Sequence, residues 1–249
     1  MDWGANALTM NIIIPMAGDG KRFLSRGYTS PKPLIEVLDG KSMIATVIDN
    51  LFIDNANYTF ILNKSHVECD ILQDIILEKL PSANFIYVEE TTDGPARTSL
   101  LAEPFIDEKE LIIVNCDQVI YDFNINHLVE FARVNKADGM LGAFISSSKK
   151  NSYMKLDPNG EVIDVKEKIV ISNIAANGLH FWSNGLNFVD NAYEMIKNDE
   201  KYNGEYYIAP TYNYLIKNGG KVLPFFYNLH FSLGTPDDLE KYKGYYEDI

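Results

Sequence analysis

This sequence is short of positive charge. It has 22 lysines and arginines against 35 aspartates and glutamates in 249 residues, a formal net charge of −13. A field of that sign repels phosphate, so a general nucleic-acid binder and an anionic-membrane binder are both excluded as first readings. Cysteine is scarcer still. Cys69 and Cys116 are the only two, they lie far apart and lack metal-ligand spacing, and the expectation is two reduced thiols in a cytoplasmic protein. No apolar run approaches the ~20 residues of a membrane span. Residues 1–9, MDWGANALT, have no basic or apolar segment and do not read as a signal peptide. Met10, directly before the first apolar run, offers itself as the natural start, with 1–10 as an N-terminal extension and 11–249 as a single domain. Repeats, linkers and low-complexity tracts are missing too.

What is present is a regular alternation. NIIIP (11–15), YTFIL (58–62), NFIYV (84–88) and ELIIVN (110–115) are short apolar runs that read as buried parallel strands. Between them, 43–52 reads as a helix capped by Ser42. The stretch 68–79 is an amphipathic helix with Ile71, Leu72, Ile75, Ile76 and Leu80 on its apolar face, and Pro95 opens a helix through about Ala102. Asn124 caps a helix over 125–135. The second half holds strands at 139–145, 153–157, 161–165 and from 177, with Pro158-Asn159-Gly160 as a hairpin turn. Helices are expected near 184–197 and 205–217, a strand at 222–226, and a final helix from 235, where Thr235 caps, Pro236 follows and two acids complete the first turn. The fold class is α/β with a central mixed, mostly parallel sheet. In such a sheet ligands sit beyond the carboxyl ends of the strands. The glycines after the first strand, Gly94 and Asp117 all fall there.

The few cations are not evenly spread. MAGDGKRFLSRGYTSPKPL (16–34) places Gly18 and Gly20 directly after the first strand, then Lys21, Arg22 and, between two prolines, Lys32. Glycines let a phosphate approach backbone N–H groups. An arginine fork and a stiffened lysine then supply charge. A G-x-G turn alone is as compatible with a plain structural turn; the added Arg22 and Lys32 favour phosphate.

These residues carry a resemblance. AGDGKRF…SPKPL is similar to the G-x-G-x-R…P-K-P signature of the sugar-phosphate nucleotidyltransferases, the nucleoside-diphosphate-sugar pyrophosphorylases, and the likeness runs from about residue 11 to 242. It implies a Rossmann-like, three-layer (GT-A-like) fold and a Mg2+-dependent transfer of a nucleotidyl group from a triphosphate to a phosphorylated acceptor. It implies Arg22 and Lys32 on the phosphates, with Ala17, Gly18, Asp19, Gly20 and Lys21 forming the nucleotide-binding loop. ETTDGPA (90–96) resembles the base-recognition loop, which brings in Asp93 and Gly94. Glu89 falls where several members carry a glutamine. A glutamate only accepts hydrogen bonds, which suits the cytosine amino group and favours CTP. NCDQVI (115–120) resembles the strand-end aspartate, making Asp117 the metal ligand.

In DVKEK (164–168) the resemblance assigns Glu167 and Lys168 to the acceptor, with Lys168 on its phosphate. AANGLHF and NGEYYIAPTYN add Asn177, Gly178 and Glu205 to the acceptor pocket. Read without the resemblance, K-E-K is a charged strand face and the paired acids 89–90 are a solvated strand end. One departure stands out. Many members have a second aspartate ligand two residues before a Gly-Thr, and here that position is Ser232. The acceptor is left open between a sugar 1-phosphate and a small phosphorylated metabolite such as an amino-acid phosphate, for capsule or surface polysaccharide synthesis. A glycosyltransferase of the same half-fold wants D-x-D where this chain has Asn115-Cys116-Asp117, and a non-catalytic nucleotide-sugar sensor would not need both Arg22 and Lys32. Monomer and homodimer both remain open.

Overall fold

A computed structural model describes residues 10–64 and 69–247. The strand runs become one nine-stranded sheet. Asn11–Met16 lies at its centre, parallel to Asn57–Asn63 on one side and to Leu111–Val114 on the other, and Asn84–Val88 continues the parallel order beyond Asn57–Asn63. Ile174–Trp182 then runs antiparallel to Leu111–Val114 and to Gly139–Ile145, and Val222–Phe226 closes that side in parallel. The hairpin Ser152–Leu156/Val162–Glu167 pairs with the opening residues of Ile174–Trp182.

The alternation of side chains along each strand builds the layers. Ile13, Ile61, Leu111 and Ile113 face one core, shared with the helices Pro95–Leu100 and Gly185–Lys197. Ile12, Ile14, Phe60, Leu62, Ile112 and Val114 face the other, under Met43–Asn50, Cys69–Lys79 and Ile125–Asn135. The sheet is buried on both faces, which is why its strands read as unbroken apolar runs rather than alternating ones. A third, smaller cluster joins Phe23, Ile35, Val37, Met43, Val119, Leu233 and Leu239. It anchors the loop after the first strand to the final helix, Pro236–Glu247.

The expected caps are present. Ser42 Oγ accepts from Ala45 N–H at 3.4 Å, Asn124 Oδ1 from Asn126 N–H at 3.0 Å, and Thr235 Oγ1 from Asp238 N–H at 3.1 Å. Several expectations need correction. Ile71 is 54% exposed, while Leu72 and Ile76 carry that helix's contact with the core. Residue 68, its expected start, lies outside the described residues, as do 1–9. The helix at Pro95 ends at Leu100. The stretch 205–217 is helical only over Ala209–Thr211, as a 3-10 turn, and Tyr212–Lys217. The strand expected from 177 begins at Ile174. Short elements escaped the periodicity altogether: the single helical turn Lys21–Leu24, the hairpin Glu36–Leu38/Lys41–Ser42, and the pair Gln118–Ile120/His230–Ser232. Two or three residues do not make a period, and these elements exist because the third cluster packs them. No described helix is long and apolar enough to cross a membrane.

Candidate functional site

The parallel strands end on one edge, and a cleft of about 510 Å3 opens there. Its first wall is the glycine loop. Gly20 has φ +62°, and a Cβ on it would stand 3.2 Å from the Lys32 Cβ. Glycine therefore serves both the left-handed turn and the close approach of the Lys32 segment. Pro31 and Pro33 hold that segment extended and then turned. The Lys32 ammonium reaches across the cleft and donates to the Asp117 carboxylate.

Asp117 follows the strand Leu111–Val114. The antiparallel pair that sets Ser232 opposite Gln118, and the Leu233 N–H donated to the Asp117 carbonyl at 2.6 Å, bring Ser232 and Gly234 beside it. A Cβ on Gly234 would lie 3.1 Å from Ser232 Oγ, 3.4 Å from Asp117 Oδ2 and 3.7 Å from an Arg22 guanidinium nitrogen. Arg22, Asp117 and Ser232 thus converge on one point, and only glycine leaves it open. Burial opposes ionisation of Asp117, yet Lys32, and then Arg22, hold its carboxyl below the usual carboxylate range.

The opposite wall is the base-loop side. Gly94 has φ +124°, and a Cβ there would lie within 2.5 Å of the Tyr206 backbone nitrogen. The segments are tied by Tyr206 N–H to the Asp93 carbonyl at 2.8 Å and Ala96 N–H to the Tyr206 carbonyl at 3.0 Å. Thr91, Thr92 and Thr98 line the cleft beside Gly94.

At the third wall Glu167 is 8% exposed and accepts from Ser152 Oγ. Lys168 sits 4.0 Å from the Tyr207 ring centroid, donates to the Tyr207 hydroxyl, and lies 3.6 Å from Glu167 Oε1. Tyr207 in turn donates to Glu205. Burial, helped by the Glu205 charge, pushes the Glu167 carboxyl above its ordinary value, although Ser152 and Lys168 pull the other way. His230 packs against Phe144 with ring centroids 4.1 Å apart and planes tilted by 53°, and burial lowers its pKa to about 4. It is therefore a neutral ring at pH 7.

Of the residues named from sequence, Ala17, Gly18, Gly20, Arg22, Lys32, Gly94, Asp117, Glu167, Lys168, Asn177, Gly178 and Glu205 all border this one cleft. Asp19, Lys21, Glu89 and Asp93 do not. Lys21 is solvent-facing and pairs with Asp19 at 3.2 Å. Glu89 is exposed and pairs with Lys64, while Asp93 pairs with Arg97 at 2.7 Å. Sequence reading passed over Gln118 and Ser152, and between core packing and a wall of the pocket it favoured packing for Tyr207, which lines the cleft. Gln118 carried a signal, being a polar residue at the head of an apolar strand; Ser152 carried none.

The chemistry of the donors suits a magnesium ion. Asp117 and Ser232 present hard oxygens towards a common point, and Mg2+ takes one or two carboxylates and completes its shell with water and substrate phosphates. Among the described residues no group of three or more His, Cys, Asp or Glu could hold a metal by itself.

The α/β fold with its strand-edge cleft is of the class that binds ligands beyond the carboxyl ends of its parallel strands. More narrowly, the chain belongs to the nucleotidyl transferase family, whose model matches residues 11–248. The fold is shared with solved structures. The nucleoside-diphosphate-sugar pyrophosphorylase from Vibrio cholerae RC9 matches with 24% identity and a TM-score of 0.80 over 93% of this chain and 98% of that one. A UDP-glucose pyrophosphorylase complexed with UDP-glucose matches at 15% identity and 0.78, over 97% and 100%. The inositol-1-phosphate CTP transferase from T. maritima matches at 15% identity and 0.73, over 95% of each chain. The family match makes the chain a nucleotidyltransferase, and the solved structures show the fold that it shares.

Proposed function

We propose that this enzyme joins a nucleoside triphosphate to a phosphorylated small-molecule acceptor and releases pyrophosphate. The observation that carries the reading is the meeting of Arg22, Lys32 and Asp117 at one strand edge in a chain with net charge −13. A triphosphate needs the local field reversed, and Arg22, Lys32, Lys150 and Lys168 line the cleft.

On this reading an oxygen of the acceptor phosphate attacks the α-phosphorus in line. The bond from that phosphorus to the bridging oxygen breaks, and pyrophosphate leaves with the electron pair. The backbone N–H groups of the Gly18–Gly20 loop and the charges of Arg22 and Lys32 hold the triphosphate, and Lys168 holds the acceptor phosphate. Positioning and charge neutralisation supply the rate enhancement, and a covalent enzyme intermediate is not needed. Magnesium, when bound, supplies charge neutralisation between the reacting phosphates, and Asp117 with Ser232 would hold it. Glu167, Asn177, Gly178 and Glu205 shape the acceptor pocket.

CTP is the triphosphate favoured by the acceptor-only chemistry of Glu89. Its present partner is Lys64, in an exposed ion pair. Such a pair is worth about 0–1 kcal/mol, so binding energy readily releases it. Residues 11–249 act as one domain, cytoplasmic, making an activated building block for capsule or surface polysaccharide.

The test is pyrophosphate release from a panel of triphosphates and phosphorylated acceptors. Release should require both substrates together. Lys32→Ala and Asp117→Ala should each lower kcat/KM at least about tenfold, roughly 1.4 kcal/mol, while staying folded. Folded variants with wild-type rates would remove both residues from the site.

A further inference from the structure

The acceptor half of the cleft holds polar atoms that the reading above leaves unused. Gln118 lines the cleft and is 5% exposed. Its Oε1 accepts the Gly178 N–H at 3.1 Å. A backbone N–H can only donate, so the atom facing it is oxygen and the amide group has one orientation. Gln118 Nε2 is then left buried with no hydrogen-bond partner among the described residues. Asn177, one residue before Gly178, repeats the arrangement. Its Oδ1 accepts the Leu179 N–H at 3.1 Å, and its Nδ2 is buried and unpartnered.

The surroundings fix both amides. Gln118 belongs to the strand pair that aligns it with Ser232. The space where Gly178 would carry a Cβ is filled by the Asn115 amide, and the space at Gly142 by Asn177 Oδ1. Neither amide can turn without losing its backbone partner. A buried donor left unpaired destabilises a fold, so its retention calls for a reason. Two such donors, locked with oxygens inward and bordering one cleft, supply one.

We propose that Gln118, together with Asn177, is a fixed donor pair that recognises an uncharged oxygen of the acceptor, remote from its phosphate, and so determines which phosphorylated acceptor is used. The inference rests on the nucleotidyl-transfer reading. A hydroxyl or carbonyl oxygen fits; a carboxylate fits less well, because Asp117, Glu167 and Glu205 already line the same cleft and two of its lysines, Lys32 and Lys168, are paired with Asp117 and Glu167. A hydroxyl fits best, since it can accept from the amides and donate to Glu167 or Glu205. Gln118 is a specificity-determining residue in this scheme and takes no part in proton transfer.

The experiment uses five acceptors: glucose 1-phosphate, myo-inositol 1-phosphate, sn-glycerol 3-phosphate, phosphocholine and phosphoserine, each with the best triphosphate. The wild-type protein should prefer a hydroxylated acceptor. Gln118→Met should raise the KM of that acceptor at least about tenfold, leave the triphosphate KM within about twofold, and erase most of the discrimination against phosphocholine. Gln118→Glu keeps an oxygen for Gly178 N–H and removes the donor, so its acceptor KM should rise as well. Restoration of wild-type acceptor KM by glutamate would show that only the Gly178 contact matters and would overturn the proposal. So would a wild-type preference for phosphocholine or phosphoserine, or equal losses in both KM values. Should Gln118→Met fail to fold, the glutamate variant and the wild-type preference still decide. A wild-type protein that releases pyrophosphate with no pair of substrates fails a different claim, the nucleotidyl-transfer reading itself.

Discussion

Replacing Lys32 with methionine should change how the protein's stability depends on pH, because it strands Asp117. In the intact protein the two side chains are 13% and 23% exposed and neutralise each other. Breaking a buried pair by removing one partner costs about 3–5 kcal/mol; partial solvent access reduces this to roughly 2 kcal/mol near neutral pH. For a chain of this size that is a fall in Tm of roughly 4–8 °C. The sign with pH follows from the cause. Asp117 is held below its ordinary value by Lys32 and Arg22. It therefore contributes stability above an unfolded pKa of about 3.9, and that contribution is lost as the pH falls through the folded value. Without Lys32, burial dominates and lifts the folded pKa, so the variant is penalised at neutral pH and relieved as Asp117 protonates. Urea unfolding at about pH 7.5 and about pH 4.5 should show the gap between wild type and Lys32→Met narrowing on acidification. In Lys32→Met/Asp117→Asn the neutral-pH loss should be partly recovered, since the uncompensated charge is gone. A gap that stays constant or widens at low pH, or strictly additive losses in the double variant, would refute the electrostatic account.

Three further outcomes follow from the geometry. Gly94→Ala places a Cβ against the Tyr206 backbone at a φ of +124°, so it should cost at least about 3 kcal/mol in chemical denaturation; a loss under about 1 kcal/mol would mean the two segments are not held as tightly as their hydrogen bonds suggest. His230 is held neutral by burial with a pKa of about 4, so its share of stability is full above the unfolded value of about 6.5 and is lost as the pH falls through about 4. His230→Phe should flatten the acid limb of the stability curve over that window, and an unchanged slope would remove His230 as its source. Glu89→Gln should lower the ratio of kcat/KM for CTP over UTP by about tenfold; an unchanged ratio takes Glu89 out of base recognition and leaves it as the partner of Lys64.

The strands and the larger helices were legible because burial on both faces of a parallel sheet forces apolar runs of strand length, and because caps such as Ser42 and Asn124 have a local chemistry. The glycine loop was legible for the same reason: Gly20, Arg22 and Lys32 are close in sequence, and their spacing has few other uses. Glu89 and Asp93 show the limit. The resemblance places them beside Gly94 at a base-recognition loop, and the pairs they form with Lys64 and Arg97 could not be read from the chain, since the direction of a loop side chain is set by neighbours brought in from elsewhere. Ser152, Gln118 and Tyr207 show the converse, residues with little or no motif that the fold delivers to the cleft.

By itself the sequence determined the layered α/β architecture, the strand edge at which the cleft opens and several of the charges that line it. These depend on local periodicity and on residues close in the chain. Only the tertiary structure decided that Lys32 meets Asp117 across 85 positions, that Gly234 keeps open the point shared by Arg22, Asp117 and Ser232, and that the Gln118 and Asn177 amides are locked with their donors unpaired. Such contacts are fixed by strand register and by the small cluster around Phe23 and Leu233, and neither leaves a repeating pattern in the chain.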